Sequence, residues 1–141
     1  MKAAESFFQL KSYIIEELKI KVMEISDSRK IRFNVSLNPQ FSDPIERDDE
    51  ILSEVVLELT IKGYSKRRIV RNIYVRIKGL FIATPPVEKE KFSRLCQING
   101  VMNLLMLARS YIATTTAQMG IEPIIIPMVD LTKTPVFKSM R

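Results

Sequence analysis

The chain is 141 residues long, 46% hydrophobic and 27% charged, with a formal net charge of +6. That is the composition of one ordinary globular domain, long enough to bury a core, and it excludes disordered and fibrous classes. One cysteine and no histidine exclude an intrachain disulfide framework and a cysteine–histidine metal cluster, and they remove the commonest general base.

Phe8, Leu10, Ile14, Leu18, Ile20 and Val22 share even positions, broken at Ser12 and Glu16. This predicts a strand over about residues 8–25 with an irregular middle. Ile14, Ile15, Leu18, Val22 and Ile25 also fit a helical face, but the Leu18-Lys19-Ile20-Lys21-Val22 alternation favours a strand. Asp27 and Ser28 supply a turn, and Ile31, Phe33, Val35 and Leu37 alternate with polar residues in a second strand over 30–38. Asn38-Pro39, Asp43-Pro44 and the acidic cluster Glu46 to Glu50 predict a solvated loop, because proline donates no ladder hydrogen bond. Val55, Leu57, Leu59 and Ile61 mark a third strand over 53–63, and Gly63 to Lys66 turn the chain back. Ile69, Ile73, Val75 and Ile77 mark a fourth over 67–83, in which Gly79 suggests a bulge or bend.

Pro85-Pro86 ends the strands, and a helical region is expected over 88–119. Leu95, Ile98, Met102, Leu105, Ala108 and Ile112 recur at steps of three and four, and Val101, Leu104 and Leu107 fill the neighbouring face. From Val101 to Ala108 only Asn103 is polar. A helix that apolar is either a central core helix or one covered by its own sheet and by a second subunit. The second reading implies a homo-oligomer, a dimer or a tetramer built from dimers, with contacts drawn from Val101, Leu104, Met106 and Leu107. An extended segment over 121–131 follows, carrying Ile124, Ile125, Ile126 and Met128 between and beyond Pro123 and Pro127. Successive side chains of such a segment cannot all face one way, so some cover the core and others line a groove. Strands followed by helices, with short turns, give an α+β fold. The sheet is a four-stranded antiparallel meander with helices packed on one side, in a single domain over 1–141.

The residues offer an enzyme little. The four glycines are scattered at positions 63, 79, 100 and 120, which leaves no phosphate-cradling loop. Asp48, Asp49 and Glu50 lack the spacing of a cation site. Cys96, on the apolar helix pattern, is read as packing. No cofactor or metal is expected. No signal-peptide pattern opens the chain, and no run of about 18 apolar residues is present to cross a bilayer, so a cytoplasmic protein is expected. Four of the seven methionines, Met102, Met106, Met119 and Met128, cluster in or just beyond the helix. Flexible thioethers suit a surface that must repack around varied partners.

Phe8-Gln9-Leu10, the Val55 to Ile61 strand, Tyr74 to Phe81, the Asn103 to Ile112 run with Ala108-Arg109, and Gly120 followed by Pro123 and Pro127 come in an order that resembles the protein-export chaperone SecB and its distant relatives. The likeness covers about residues 8–131. It implies a four-stranded antiparallel sheet with helices on one side, assembly as a dimer of dimers, and ATP-independent holding of unfolded or extended polypeptides in apolar grooves. Phe81, Ile124, Ile126 and Met128 are the groove residues expected on this basis, with the even-numbered isoleucines facing the groove. The role implied is export, or the guarding of a specific client such as an antitoxin.

One stretch departs from that family. Lys62, Lys66, Arg67, Arg68, Arg71, Arg76 and Lys78 place seven cations and no acid between positions 62 and 78. Export chaperones of this family present an acidic sheet surface to the motor SecA, so SecA docking is not expected here. Lys66, Arg67, Arg68, Arg71, Arg76 and Lys78 instead form a basic partner surface. Such a hairpin, with Tyr64 and Tyr74 available to stack on bases, also fits a nucleic-acid-binding module. A structural subunit of a larger assembly is a further alternative.

Overall fold

Period-two alternation of apolar and polar side chains builds the sheet. The computed structural model describes residues 1–25 and 30–133. Among them, β1 (Phe8–Val22), β2 (Ile31–Phe41), β3 (Ile45–Arg47), β4 (Glu50–Ser65) and β5 (Arg68–Ala83) form one antiparallel sheet. Ile51, Val55, Leu57, Leu59 and Ile61 of β4 and Ile73, Val75, Ile77, Phe81 and Ala83 of β5, all at odd positions, are buried. The helices cover that face, which is the expected α+β arrangement.

The strand order is β1-β5-β4-β2, with β3 paired to β4. The expected meander holds for β2, β4 and β5. β1 departs from it by lying at the opposite edge from β2, paired with β5 from Phe8↔Ala83 to Val22↔Arg71. The turn anticipated at Asp27 and Ser28 lies outside the described residues, but a tight β1–β2 hairpin is incompatible with strands on opposite edges. Register shifts between Leu10 and Ser12 and between Ile15 and Glu17 leave Lys11 and Glu16 as extra residues, the irregular middle expected of β1.

Two local expectations are corrected. Pro39 lies within β2, opposite Leu57, because an edge strand tolerates a missing donor that an inner strand does not. The acidic cluster is not simple loop: Arg47 pairs with Glu50, and the two residues between them, Asp48 and Asp49, have φ of 50° and 61°. Two successive positive φ values make the hairpin turn that matches strand twist, and aspartate is among the few non-glycine residues that accept them.

The helical region comprises α1 (Lys89–Leu95), a π turn (Cys96–Gly100) and α2 (Val101–Gln118). Its buried positions are Phe92, Cys96, Gly100, Val101, Leu104, Leu105, Ala108, Ile112 and Thr116. The step of five between Cys96 and Val101 is the π turn, where one residue is gained. That phase shift takes Ile98 and Met102 off the core stripe on which uniform helical spacing places them: Ile98 is 38% exposed and Met102 half-buried. Gly79 does not interrupt β5. A Cβ there would sit 2.8 Å from Leu104 Cδ2, so the missing side chain is what lets α2 approach the sheet. Beside it the Phe8 ring stacks on Phe81 at 5.3 Å between centroids and meets Phe92 edge-on at 5.7 Å.

Candidate functional site

Two residues past the end of α2 stands Gly120, whose φ of 85° is the left-handed conformation that terminates helices. The chain then folds back along the helix and is held at two points. The Thr116 hydroxyl accepts from the Ile124 N–H at 2.8 Å and donates to the Ile112 carbonyl at 2.8 Å. Farther on, Arg109 Nε donates to the Ile126 carbonyl at 2.8 Å. These bonds fix which side chains turn inward. Ile124 is 5% exposed and Ile126 1%, whereas Ile125 is 52% and Met128 69% exposed.

The expected groove residues are corrected accordingly. Phe81 and Ile126 are core, Phe81 lying under the π turn against Gly100, and Ile124 is 5% exposed while still bordering the second of the cavities that flank the segment. Only Met128 of the four is open. Ile125, which the expected parity placed inward, is the exposed isoleucine. Nothing in the local pattern of three isoleucines between two prolines fixes parity, because the anchors are on α2.

Two cavities flank this segment. The first, about 500 Å³, lies between the start of α2 and the end of the segment. Ile98, Met102, Met106, Val129 and Leu131 give it apolar walls, while Asn99, Asn103, Asp130 and Thr132 supply polar rims. The π turn shapes it by presenting Ile98 and Asn99, and Asn103 Nδ2 donates to the Asn99 carbonyl at 2.7 Å. Asp130 accepts from the Thr132 hydroxyl at 2.6 Å, a bond that, with the Thr132 N–H, holds its carboxyl below the ordinary range. Sequence spacing placed Ile98 and Met102 on the core stripe and marked neither Val129 nor Leu131, so this cavity was not legible as a site. The second cavity, about 350 Å³, lies at the other end among Ile31, Phe33, Arg71 and Ile121 to Ile125.

Of the expected interface residues, Val101 and Leu104 are fully buried against the chain's own sheet and are corrected to core. Met106 and Leu107 remain half-buried. The outer side of α2 presents Asn103, Leu107, Ser110, Tyr111 and Thr114. The helix's one charged residue, Arg109, is spent on Ile126.

The basic surface is also smaller than the sequence suggests. Arg71 is buried at 3% exposure. Glu16, freed by the β1 bulge, pairs with Arg76 at 3.2 Å and Lys78 at 3.6 Å, and Glu58 adds a second contact to Arg76 at 3.0 Å. Tyr74 donates to Glu58 at 2.8 Å, which raises the phenol's pKa. Arg68 meets Glu24 at 3.3 Å. Lys66 and Arg67 at the turn are the two of the six that remain exposed with no carboxylate among the described residues. Burial pushes the Cys96 thiol up to about 12, so it stays protonated and packs. Among the described residues no three metal-ligating side chains cluster, and no helix is long and apolar enough to cross a membrane.

No protein-family model matches the sequence, and no curated protein matches it. A solved structure does: a SecB-like chaperone from Mycobacterium tuberculosis, in complex with a ChAD peptide from the HigA1 antitoxin. The sequences are 13% identical, the TM-score is 0.65, and 87% of this chain and 91% of that one are covered. At that identity the likeness is one of architecture. With its 1-5-4-2 sheet order, one covered face and folded-back segment after the main helix, the chain has a SecB-like fold.

Proposed function

We propose that this protein is a non-enzymatic holdase that binds unfolded or extended polypeptides without ATP, along the segment that folds back over α2. The observation that carries this reading is the apolar cavity of about 500 Å³ at one end of a segment that also exposes Met128, and Ile125 on the second cavity. Exposed apolar surface of this kind marks a binding site, and Met102, Met106 and Met128 make it adaptable to clients of different sequence. The similar fold binds a peptide from an antitoxin, which supports a polypeptide client and includes an antitoxin among the candidate classes. Protein export remains the second role the fold is compatible with. We further propose that the protein acts as a homo-oligomer in the cytoplasm, through the uncharged outer side of α2. Neutralisation of Arg76, Lys78 and Arg68 by Glu16, Glu58 and Glu24 weighs against the nucleic-acid reading.

The test is suppression of aggregation of a chemically unfolded client, followed by light scattering, with the affinity for a labelled client peptide measured alongside. Ile125→Ser with Met128→Ser is expected to weaken binding about thirtyfold, since each lost apolar contact is worth roughly 1 kcal/mol. Thermal unfolding should change little, because both side chains are already more than half exposed. ATP and chelators should make no difference. Unaltered client affinity in the double variant, or a requirement for ATP, would defeat the proposal.

A further inference from the structure

Arg71 is, among the described residues, the one charged side chain that is buried, at 3% exposure. It stands opposite Gly63 at an odd position of β5, on the helix-covered face. A Cβ on Gly63 would lie 2.9 Å from Arg71 Cβ, so the glycine makes room for it. Arg71 Nη1 donates to the carbonyls of Glu24 at 2.8 Å and Val70 at 2.9 Å, which ties the end of β1 to β5. The Glu24 carboxylate itself goes to Arg68. No carboxylate among the described residues forms a salt bridge with Arg71; Glu122, on the lining of the same cavity, has a partner of its own.

A buried guanidinium with carbonyl partners alone is a costly feature for a fold to keep, because its full charge is uncompensated. No sealed side-chain nitrogen or oxygen lacks a partner among the described residues. The unbonded edge of the guanidinium therefore opens on the cavity of about 350 Å³, whose walls include Ile31, Phe33, Ile121 and Ile125. The lining carries one cation, Arg71, and one acid, Glu122, among otherwise apolar side chains, and the guanidinium can meet a carboxylate carried on an apolar body in bidentate fashion.

We infer that this cavity receives an acidic side chain of the bound polypeptide, its carboxylate on Arg71 and its apolar neighbours against Phe33 and Ile125. The inference rests on the client-binding reading and adds a preference to it. An internal residue is favoured over a chain end by the position of the two cavities. Residues 124–130 connect them, and seven residues span at most roughly 25 Å. A client lying along the segment meets both cavities, and one that extends beyond the second presents an internal residue to Arg71.

Three labelled synthetic peptides of one apolar sequence decide it: one with a central Glu and a free C-terminus, the same peptide amidated, and a central Gln version. Wild-type protein is expected to bind the Gln peptide about tenfold more weakly than the Glu peptide, as loss of a charged hydrogen-bond partner costs in a desolvated site. Amidation should change nothing. Arg71→Met should bind Glu and Gln peptides alike, with a melting temperature equal to or above that of the wild type, and Arg71→Lys should restore part of the discrimination. Equal binding of Glu and Gln by wild type overturns the inference while leaving the holdase reading intact. So does discrimination that survives in Arg71→Met, or a loss that follows amidation instead. Binding of none of the three peptides overturns both readings. The wild-type Glu–Gln comparison decides the matter even if Arg71→Met does not fold.

Discussion

Ile125 and Ile126 are adjacent, chemically identical and opposite in fate. Ile126 is 1% exposed beneath the carbonyl that Arg109 holds, whereas Ile125 is 52% exposed. Ile126→Ser is therefore expected to cost about 3 kcal/mol, from lost transfer energy, the cavity left behind and a hydroxyl without a partner. Ile125→Ser should stay within about 0.5 kcal/mol of wild type. Urea unfolding of the two single variants measures the difference directly, and equal losses would mean that the segment is not anchored as described. The sequence showed that some of these isoleucines face in and some out, because an extended chain alternates. Which ones do so depends on Thr116 and Arg109, eight and seventeen residues from the groups they bond, and no local pattern reports such a partner. The same holds for Arg71. A run of cations reads as a solvated face until the register places one of them on the helix side.

At the scale of elements, the strands β4 and β5 and the extent of the helical region were legible because period two and period 3.6 are local signals. Pairing order was not, since β1 lies beside β5 through contacts with residues some fifty to seventy-five positions away. The π turn was hidden for a different reason. Steps of three and four read equally well in two phases, and the phase that moves Ile98 and Met102 to the cavity is the one that sets Gly100 against Phe81. The end of α2 is better determined. Gly120 has φ of 85° and open space where a Cβ would be, so its requirement is conformational and not steric. Gly120→Ala is expected to destabilise by about 1 kcal/mol through the left-handed backbone. It should also weaken client binding more than that loss of stability explains, because the turn aims the segment that follows. Denaturant unfolding and peptide affinity on this variant separate the two effects.

For the molecule as a whole, the outer side of α2 is a surface whose composition does not match a face turned to water. Asn103, Leu107, Ser110, Tyr111 and Thr114 lie at helical spacing on the outer side of α2, and Tyr111 is 50% exposed. A solvated helix of 18 residues ordinarily carries several charges there. Here the sole charge, Arg109, points to the Ile126 carbonyl. Small polar and apolar side chains without charge resemble the central part of a subunit interface, from which charged residues are depleted. A self-complementary contact between two copies of α2 about a two-fold axis would cover this stripe on both subunits at once. The expected outcome is that the protein sediments as a dimer or tetramer at micromolar concentration. Leu107→Glu with Tyr111→Glu should release smaller species, because two like-charged carboxylates from each copy would meet at the axis. Val101 and Leu104, buried on their own sheet, should tolerate no such charge and would unfold the protomer instead. A wild-type chain that sediments as a monomer would assign the stripe another partner, and client peptide would be the first to test against it.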